Sequence, residues 1–298
     1  MKVVALTDAE PRARRVAVGT FDGVHLGHRE VIRGADTVLT FDPHPLAVTR
    51  PKALPRLLDS FPVKRDLIAS LGVDELVVAT FDRELASRSA ERFVEEVLVD
   101  GLGAAHVSVG ENFRFGRRAE GDTDVLVAHP EFETRVVTLV EAAGETVSSS
   151  HIRGLVAAGE VAEAADFLGR PFLLEGEVVT GDGRGRGLGM PTANLVPDDR
   201  LVCPGHGIYA ARVEVEGTSH VAAVSVGVRP TFGAGRSLLV ESYLLDFDGD
   251  LYGRTLRVAF LDRIRGERRF ETTSDLVRQM HEDVDRVREM TSATVPRR

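Results

Sequence analysis

Val16-Ala17-Val18-Gly19-Thr20-Phe21-Asp22-Gly23-Val24-His25-Leu26-Gly27-His28 is a short apolar run that ends in a glycine-punctuated turn and two histidines three residues apart. The apolar run predicts a buried strand. Gly19 and Gly23 permit the backbone angles that a strand-to-helix turn uses. Residues from Leu26 onward predict the first turn of a helix, so His25 and His28 share one face of it. A helix start offers unbonded N–H groups and a partial positive charge, which suit an anion. Imidazoles added there would hold phosphate oxygens and the charge that develops on them. The same pair could be metal ligands, but no glutamate lies between them and no cysteine cluster is near. They could also be ordinary surface histidines.

Working outward, the helix is short: Val31 and Ile32 are its apolar residues and Gly34 stops it. Asp36–Phe41 predicts a second strand, followed by the rigid turn Asp42-Pro43-His44-Pro45. Val63–Leu71 predicts a helix closed by Gly72, and Glu75–Phe81 a third strand. Ser89 can cap a helix through Val99. Ala105–Val109 and Arg135–Val140 predict further strands. Strands alternating with helices give a parallel sheet with helices on both faces. Its strand ends are where open α/β sheets bind ligands. Gly110-Glu111-Asn112-Phe113-Arg114-Phe115-Gly116 leaves one such end; its aromatics and arginine could stack on a base and meet a phosphate, or simply form a surface hairpin. Ser148-Ser149-Ser150-His151-Ile152-Arg153 opens the next helix, as caps or as an anion site. The chain has neither a P-loop nor GxGxxG, so it is neither a Walker ATPase nor a Rossmann dehydrogenase.

With 298 residues, 43% of them hydrophobic, the chain can bury the cores of two domains. A net charge of −9 and a pI of about 5.5 argue against a general affinity for nucleic acid or anionic membrane. The single cysteine, Cys203, excludes an intrachain disulfide and fits a reducing cytoplasm. The charged stretch Met1–Arg15 lacks the apolar core of a signal peptide, and no uncharged run approaches the ~20 residues of a membrane span.

Gly169-Arg170-Pro171 is the expected boundary, giving domains 1–169 and 170–298. Beyond it, Phe172–Val179, Ile208–Val215, Val221–Val228, Leu238–Phe247 and Thr255–Leu261 predict strands with no helices between them, hence an antiparallel barrel or sandwich. A final helix, Ser274–Met290, carries Leu276, Met280, Val284 and Val287 on the face that should pack on it. Gly181–Gly189 is a glycine-rich loop with Arg184 and Arg186. Such a loop is either a mobile linker or a cover whose bare backbone approaches phosphates. The Thr192 and Asn194 oxygens that follow suit Mg²⁺. Glu241, in an otherwise apolar strand, either faces solvent or takes the proton from a primary hydroxyl during phosphoryl transfer.

Taken together, these motifs resemble a known family. Gly-x-Phe-Asp-Gly-x-His-x-Gly-His at 19–28 is similar to the HxGH signature of nucleotidyltransferases. Gly-x-Pro-Thr-Ala-Asn at 189–194, Gly207-Ile208-Tyr209-Ala210, Val226–Gly233 and Leu245–Gly253 resemble a riboflavin kinase domain. From Val16 to Met290 the chain looks like the bacterial bifunctional riboflavin kinase/FAD synthetase family. The resemblance implies a Rossmann-like nucleotidyltransferase domain with a parallel sheet, then a six-stranded antiparallel β-barrel with a C-terminal helix. It implies that the barrel makes FMN from riboflavin and ATP, and that the first domain makes FAD from FMN and a second ATP, releasing pyrophosphate. Glu241 would be the general base. Thr192 and Asn194 would meet Mg²⁺ and the ATP phosphates under the loop that includes Gly183, Gly185 and Gly187. Arg263, Arg265 and Phe270 lie in the segment that would close on the flavin. His25 and His28 would stabilise the transition state, with Gly19, Phe21, Ser149, Ser150 and Arg153 around the same phosphates. Asn112, Phe113 and Arg114 would help hold FMN. The crossover after His28 is about ten residues shorter than the family pattern. Two alternatives therefore stay open: a kinase with a weak or altered transferase half, and a flavin-binding regulator without turnover.

Overall fold

The structure is a computed structural model and describes residues 1–181, 189–230 and 236–293. It divides into two compact units, one of Met1–Pro55 with Phe61–Ser149, the other of Arg56–Ser60 with Ser150 onward.

The first unit is built on six parallel strands, β1 (Lys2–Ala5), β2 (Arg14–Val18), β3 (Thr37–Asp42), β4 (Glu75–Thr80), β5 (Ala104–Gly110) and β6 (Glu133–Val137). Their order is β1-β4-β3-β2-β5-β6. Helices α1 (Leu26–Ile32), α2 (Pro45–Thr49), α3 (Phe61–Ala69), α4 (Arg83–Ser87), α5 (Ala90–Phe93) and α6 (Thr123–Val127) connect them, and a hairpin of β7 (Glu141–Ala142) and β8 (Glu145–Thr146) follows. Strand alternation splits the apolar residues between two cores. Val16, Val18, Leu39 and Val107 pack on one face, and Ala17, Val38 and Leu76 on the other with Val31, Ile32 and Ile68. Both faces are therefore covered, as a parallel sheet requires. The chain runs from β2 through β3 to β4 on one side and from β5 to β6 on the other, so the order reverses between β2 and β5. Crevices outside the strand C-termini at such a reversal are where ligands bind in open α/β sheets.

The helix expected from Ser89 to Val99 begins as predicted, with Ser89 Oγ accepting from Arg92 N at 3.3 Å. It then widens: Val94–Val99 is a π-helical run, closed by Asp100 N donating to Glu95 O at 2.8 Å. The wider turn keeps Val94, Val97 and Leu98 all buried. Strand β6 ends at Val137, short of the expected Val140, and the edge strand β1 has no counterpart among the predicted elements.

In the second unit, α7 (Ser149–Ala158) and α8 (Val161–Leu168) are separated by Gly159 at φ 90°. Strands β9 (Phe172–Val179), β10 (Ala193–Pro197), β11 (Gly207–Val215), β12 (Thr218–Pro230), β13 (Arg236–Leu244) and β14 (Thr255–Arg265) close an antiparallel barrel in the order β10-β13-β12-β11-β14-β9. Five of the six were expected as strands; the sixth, β10, begins at the Ala193-Asn194 end of the Pro-Thr-Ala-Asn segment. Phe172, Tyr209, Val213, Val224, Val240 and Phe260 fill the interior, each almost wholly buried. The last helix, α9 (Thr273–Ala293), lays Val284, Val287 and Met290 against Ala210, Leu245 and their neighbours on the barrel's outside. Among the described residues, no helix is long and apolar enough to cross a membrane.

Candidate active sites

In the first unit the quoted stretch forms the exit from β2 into α1. Phe21 at φ 51°, Gly23 at φ 93° and Val24 at φ 39° occupy the left-handed region, which folds the turn tightly. Gly19 is bare because a Cβ there would stand 3.0 Å from the Phe21 ring. That ring meets His28 edge-on at 5.4 Å, and the His25 and His28 rings stack at 3.5 Å and 16°. His25 caps α1: its Nδ1 accepts from His28 N at 3.3 Å. A neutral His25 that accepts at Nδ1 carries its proton on Nε2. The imidazole of His25 thus takes up the His28 amide, one of the donors that the sequence offered to an anion. His28 Nδ1 is buried without a partner. Burial first, then the neighbouring His25, then the Lys64 ammonium push the His28 pKa well below its ordinary value, so the imidazole is neutral.

Three further groups hold the turn. Lys64 Nζ on α3 donates to Thr20 O at 2.9 Å, and Thr40 Oγ1 on β3 donates to the same oxygen at 3.3 Å. Ser149 Oγ donates to Asp22 O at 2.9 Å. Ser149 therefore binds the histidine turn's backbone. Ser150 and Arg153 fall in the second unit, where Arg153 Nη1 donates to Ser150 Oγ at 3.3 Å.

The loop after β5 emerges on the other side of the sheet reversal. Asn112 is exposed there. Phe113 and Phe115 stack at 5.5 Å and 19°, but Phe115 is buried against Phe93 in the sheet's core. Arg114 pairs with Asp122 at 2.9 Å.

In the barrel, strand register does the assembling. Asn194 on β10 stands directly opposite Glu241 on β13, and Glu241 stands opposite Ser225 on β12. Val240 and Ser242, which flank Glu241, are fully buried and point inward, so Glu241, Asn194 and Ser225 share the outer face. Asn194 is only 7% exposed. Gly181 packs over it so closely that a Cβ would fall 2.2 Å from Asn194 Nδ2. Thr192 is partly buried two residues before Asn194. Gly183, Gly185 and Gly187 lie outside the described residues.

Arg263 and Arg265, expected near the flavin, both hold structure together. Arg263 donates to Ala158 O at 3.3 Å and His206 O at 2.6 Å. Arg265 makes a two-pronged ion pair with Asp283 of α9, at 2.8 and 2.7 Å, and its guanidinium lies 5.9 Å from the Phe270 ring. Desolvation raises the Cys203 thiol pKa to about 12, which keeps it protonated and fits a structural role.

Lys64 and Ser225 belong to these sites and carry no expected role. The signal for Lys64 was present: it stands four residues before Ile68, on the apolar side of α3, where a lysine is out of place.

Two family profiles match the chain, FAD synthetase over residues 7–151 and riboflavin kinase over residues 168–291. A bifunctional riboflavin kinase/FMN adenylyltransferase from Listeria monocytogenes is 34% identical over 281 residues, covering 90% of this chain and 89% of that one. A protein of the same description from Escherichia coli K12 is 36% identical over 306 residues, covering 98% and 97%. A crystal structure described as a macrolide-efflux protein from Streptococcus pneumoniae superposes with a TM-score of 0.87 at 31% identity, covering 97% of this chain and 99% of that one. An adenylyltransferase-type sheet with its histidine turn, followed by a barrel with an Asn–Glu pair, agrees with those matches in both order and extent, and the chain belongs to the bifunctional riboflavin kinase/FMN adenylyltransferase family.

Proposed function

We propose that residues 1–169 transfer AMP to FMN and residues 170–298 phosphorylate riboflavin, each with the residues described above. The observation that carries this reading is the register that sets Asn194 opposite Glu241. A carboxylate on the barrel's outer face, beside a buried amide that Gly181 packs against, is placed to take a proton from a hydroxyl as it attacks a phosphate. In that step the 5′-hydroxyl oxygen of riboflavin bonds to the γ-phosphorus of ATP, ADP leaves, and Glu241 accepts the hydroxyl proton. Thr192 and Asn194 supply hard, neutral oxygens. Among the described residues no cluster of three His, Cys, Asp or Glu could hold a metal by itself. That donor set fits Mg²⁺ arriving on ATP and held chiefly by its phosphates. When bound, the ion would neutralise phosphate charge; Thr192 and Asn194 would orient it.

For adenylyl transfer, a phosphate oxygen of FMN attacks the α-phosphorus of ATP and pyrophosphate leaves. No protein nucleophile is needed. The His25 Nε2–H and the unpartnered His28 nitrogen face the developing charge, and Ser149 keeps the turn in place. Gly19 and Phe21 belong to the same phosphate surround, and Asn112, Phe113 and Arg114 to the FMN side. Arg263, Arg265 and Phe270 serve the flavin by shaping the segment after β14. The partners are small molecules; the −9 charge offers nucleic acid no general attraction. The demand for ATP and the protonated Cys203 suit the cytoplasm.

The test is chromatography of products from riboflavin, ATP and Mg²⁺ over time. FMN should appear first and FAD after it. The seven-residue α1 favours one second reading, a kinase whose transferase half is weak. FMN that accumulates without FAD would establish that reading and remove ours.

A further inference from the structure

Helix α1 carries His28 on its first turn yet is only seven residues long. A helix of about two turns depends on its neighbours for both its stability and its direction. On one side its far end borders a cavity of about 290 Å³, whose walls include Arg33, Gly34, Ala35, Ser108 and Arg135. Packing does not hold the end of the helix there. Hydrogen bonds to its last carbonyls do, since these have no partner within the helix. The chain that follows serves three of them: Arg33 N donates to Arg29 O and Glu30 O, and Ala35 N to Ile32 O. The sheet serves two more. Ser108 Oγ on β5 donates to Val31 O at 2.7 Å, in a buried bond. Arg135 on β6 donates from Nη1 to Arg33 O at 2.9 Å and from Nη2 to the Glu30 carboxylate at 2.6 Å. Val107 and Val109, on either side of Ser108, pack into the core on the sheet's other face, so strand alternation turns Ser108 toward α1.

We propose that Ser108 and Arg135 are positioning residues for adenylyl transfer: they tie the last carbonyls of α1 to β5 and β6 and so hold the seven-residue helix at the angle that presents His28. This rests on the reading of the histidine turn as the adenylyl-transfer site. The other end of α1 is fixed separately, by the His25 cap and by the bond from Ser149 to Asp22 O. A helix of this length spans only about 10 Å. Play of ~1 Å at its far end is therefore a tilt that reaches the imidazoles. Neither side chain needs to touch a substrate, since both bonds lie at the opposite end of α1 from His28. They also answer the shortness of the crossover: two side chains of the sheet do the holding that further helical turns would do.

The experiment uses the full chain with Ser108→Ala, Ser108→Thr and Arg135→Ala, with His28→Ala beside them. Two quantities are measured: the kinetics of FAD formation from FMN and ATP, and the NMR resonances of the His28 ring protons in the folded protein, assigned with His28→Ala. The His28 ring stacks on His25 and meets Phe21 edge-on, so ring currents make those resonances sensitive to a small tilt of α1. Ser108→Ala should lower kcat by about tenfold to a hundredfold, the effect of misplacing a catalytic group by ~1 Å, and should leave KM for FMN within about twofold. It should also shift the His28 resonances, which a loss of stability alone would not do. Ser108→Thr keeps the hydroxyl, and the cavity gives its extra methyl room, so it should restore both readouts. Arg135→Ala alters a half-exposed side chain and keeps the test open should Ser108→Ala fold poorly. It should lower kcat by about threefold to tenfold, the worth of one hydrogen bond, and move the same resonances. A wild-type kcat in either alanine variant overturns the proposal. So does a fall in kcat with the His28 resonances unmoved, or a Ser108→Thr protein as impaired as Ser108→Ala. If His28→Ala retains full FAD formation, it is the reading of the turn that fails.

Discussion

His28 shows how much one residue's surroundings decide. A histidine on a surface helix would titrate near 6.5. Here burial, the stacked His25 and the Lys64 charge depress its pKa. The unfolded chain therefore binds a proton near pH 6.5 that the folded chain refuses. Stability from this group is complete above about pH 6.5 and falls as pH drops from there toward the depressed folded value. Phosphate oxygens reverse that preference. ATP binding near pH 6.5 should draw up to about one proton from solution. Calorimetry in two buffers of different ionisation enthalpy reads the uptake directly, and His28→Ala should abolish it. Equal apparent enthalpies in both buffers for the wild type would show that His28 does not meet the phosphates.

Glu241 is tested by removing its ability to accept a proton. Glu241→Gln keeps the size and the strand pairing. It should lower kcat for FMN formation by about 10²- to 10⁴-fold, the usual worth of a general base. FAD formation from supplied FMN should be untouched. A Gln variant that phosphorylates riboflavin at the wild-type rate would leave the hydroxyl proton to some other group.

Among the elements, those whose apolar pattern is local were readable in the sequence. The alternation of Tyr209, Ala211, Val213 and Val215 into the barrel is one case, and the capped start of α5 is another. Elements that owe their state to distant partners were not. Ala193–Pro197 contains Asn and ends in Pro, which reads as a turn; it is a strand because β9 and β13 bond it from both sides. Strand β1 is largely exposed and carries no periodicity, yet it pairs with β4 some seventy residues away. The candidate site divides likewise. The histidine turn is contiguous and was visible, whereas the Asn194–Glu241 pairing spans 47 residues and only register reveals it. Phe115 and Arg265 fit ligand roles by type, but their packing commits them to the core and to Asp283. The Arg265–Asp283 pair joins β14 to α9 with side chains 12% and 7% exposed. Asp283→Ala should destabilise the barrel unit by roughly 3–5 kcal/mol, because it strands a buried guanidinium. Arg265→Met with Asp283→Leu should recover most of that. The urea midpoint for loss of riboflavin phosphorylation measures both, and an unchanged midpoint for Asp283→Ala would mean that α9 does not depend on this pair.

At the scale of the whole molecule, two dissimilar scaffolds on one chain perform consecutive reactions, and the product of one is the substrate of the other. Each scaffold has its own core, and Glu241 and His28 lie on different ones, so the two substitutions are expected to act separately. Glu241→Gln should make FAD only from FMN, and His28→Ala should stop at FMN. Mixed in one tube with riboflavin, ATP and Mg²⁺, the two inactive partners should together make FAD after a lag, because FMN released by one can be used by the other. The lag should shorten in proportion as the Glu241→Gln protein is raised, since FMN capture then becomes the faster step. If FAD never forms in the mixture because the His28→Ala protein keeps its FMN bound, although the Glu241→Gln protein converts supplied FMN normally, then FMN reaches the transferase only within its own chain. The two activities would then be joined by more than a shared polypeptide.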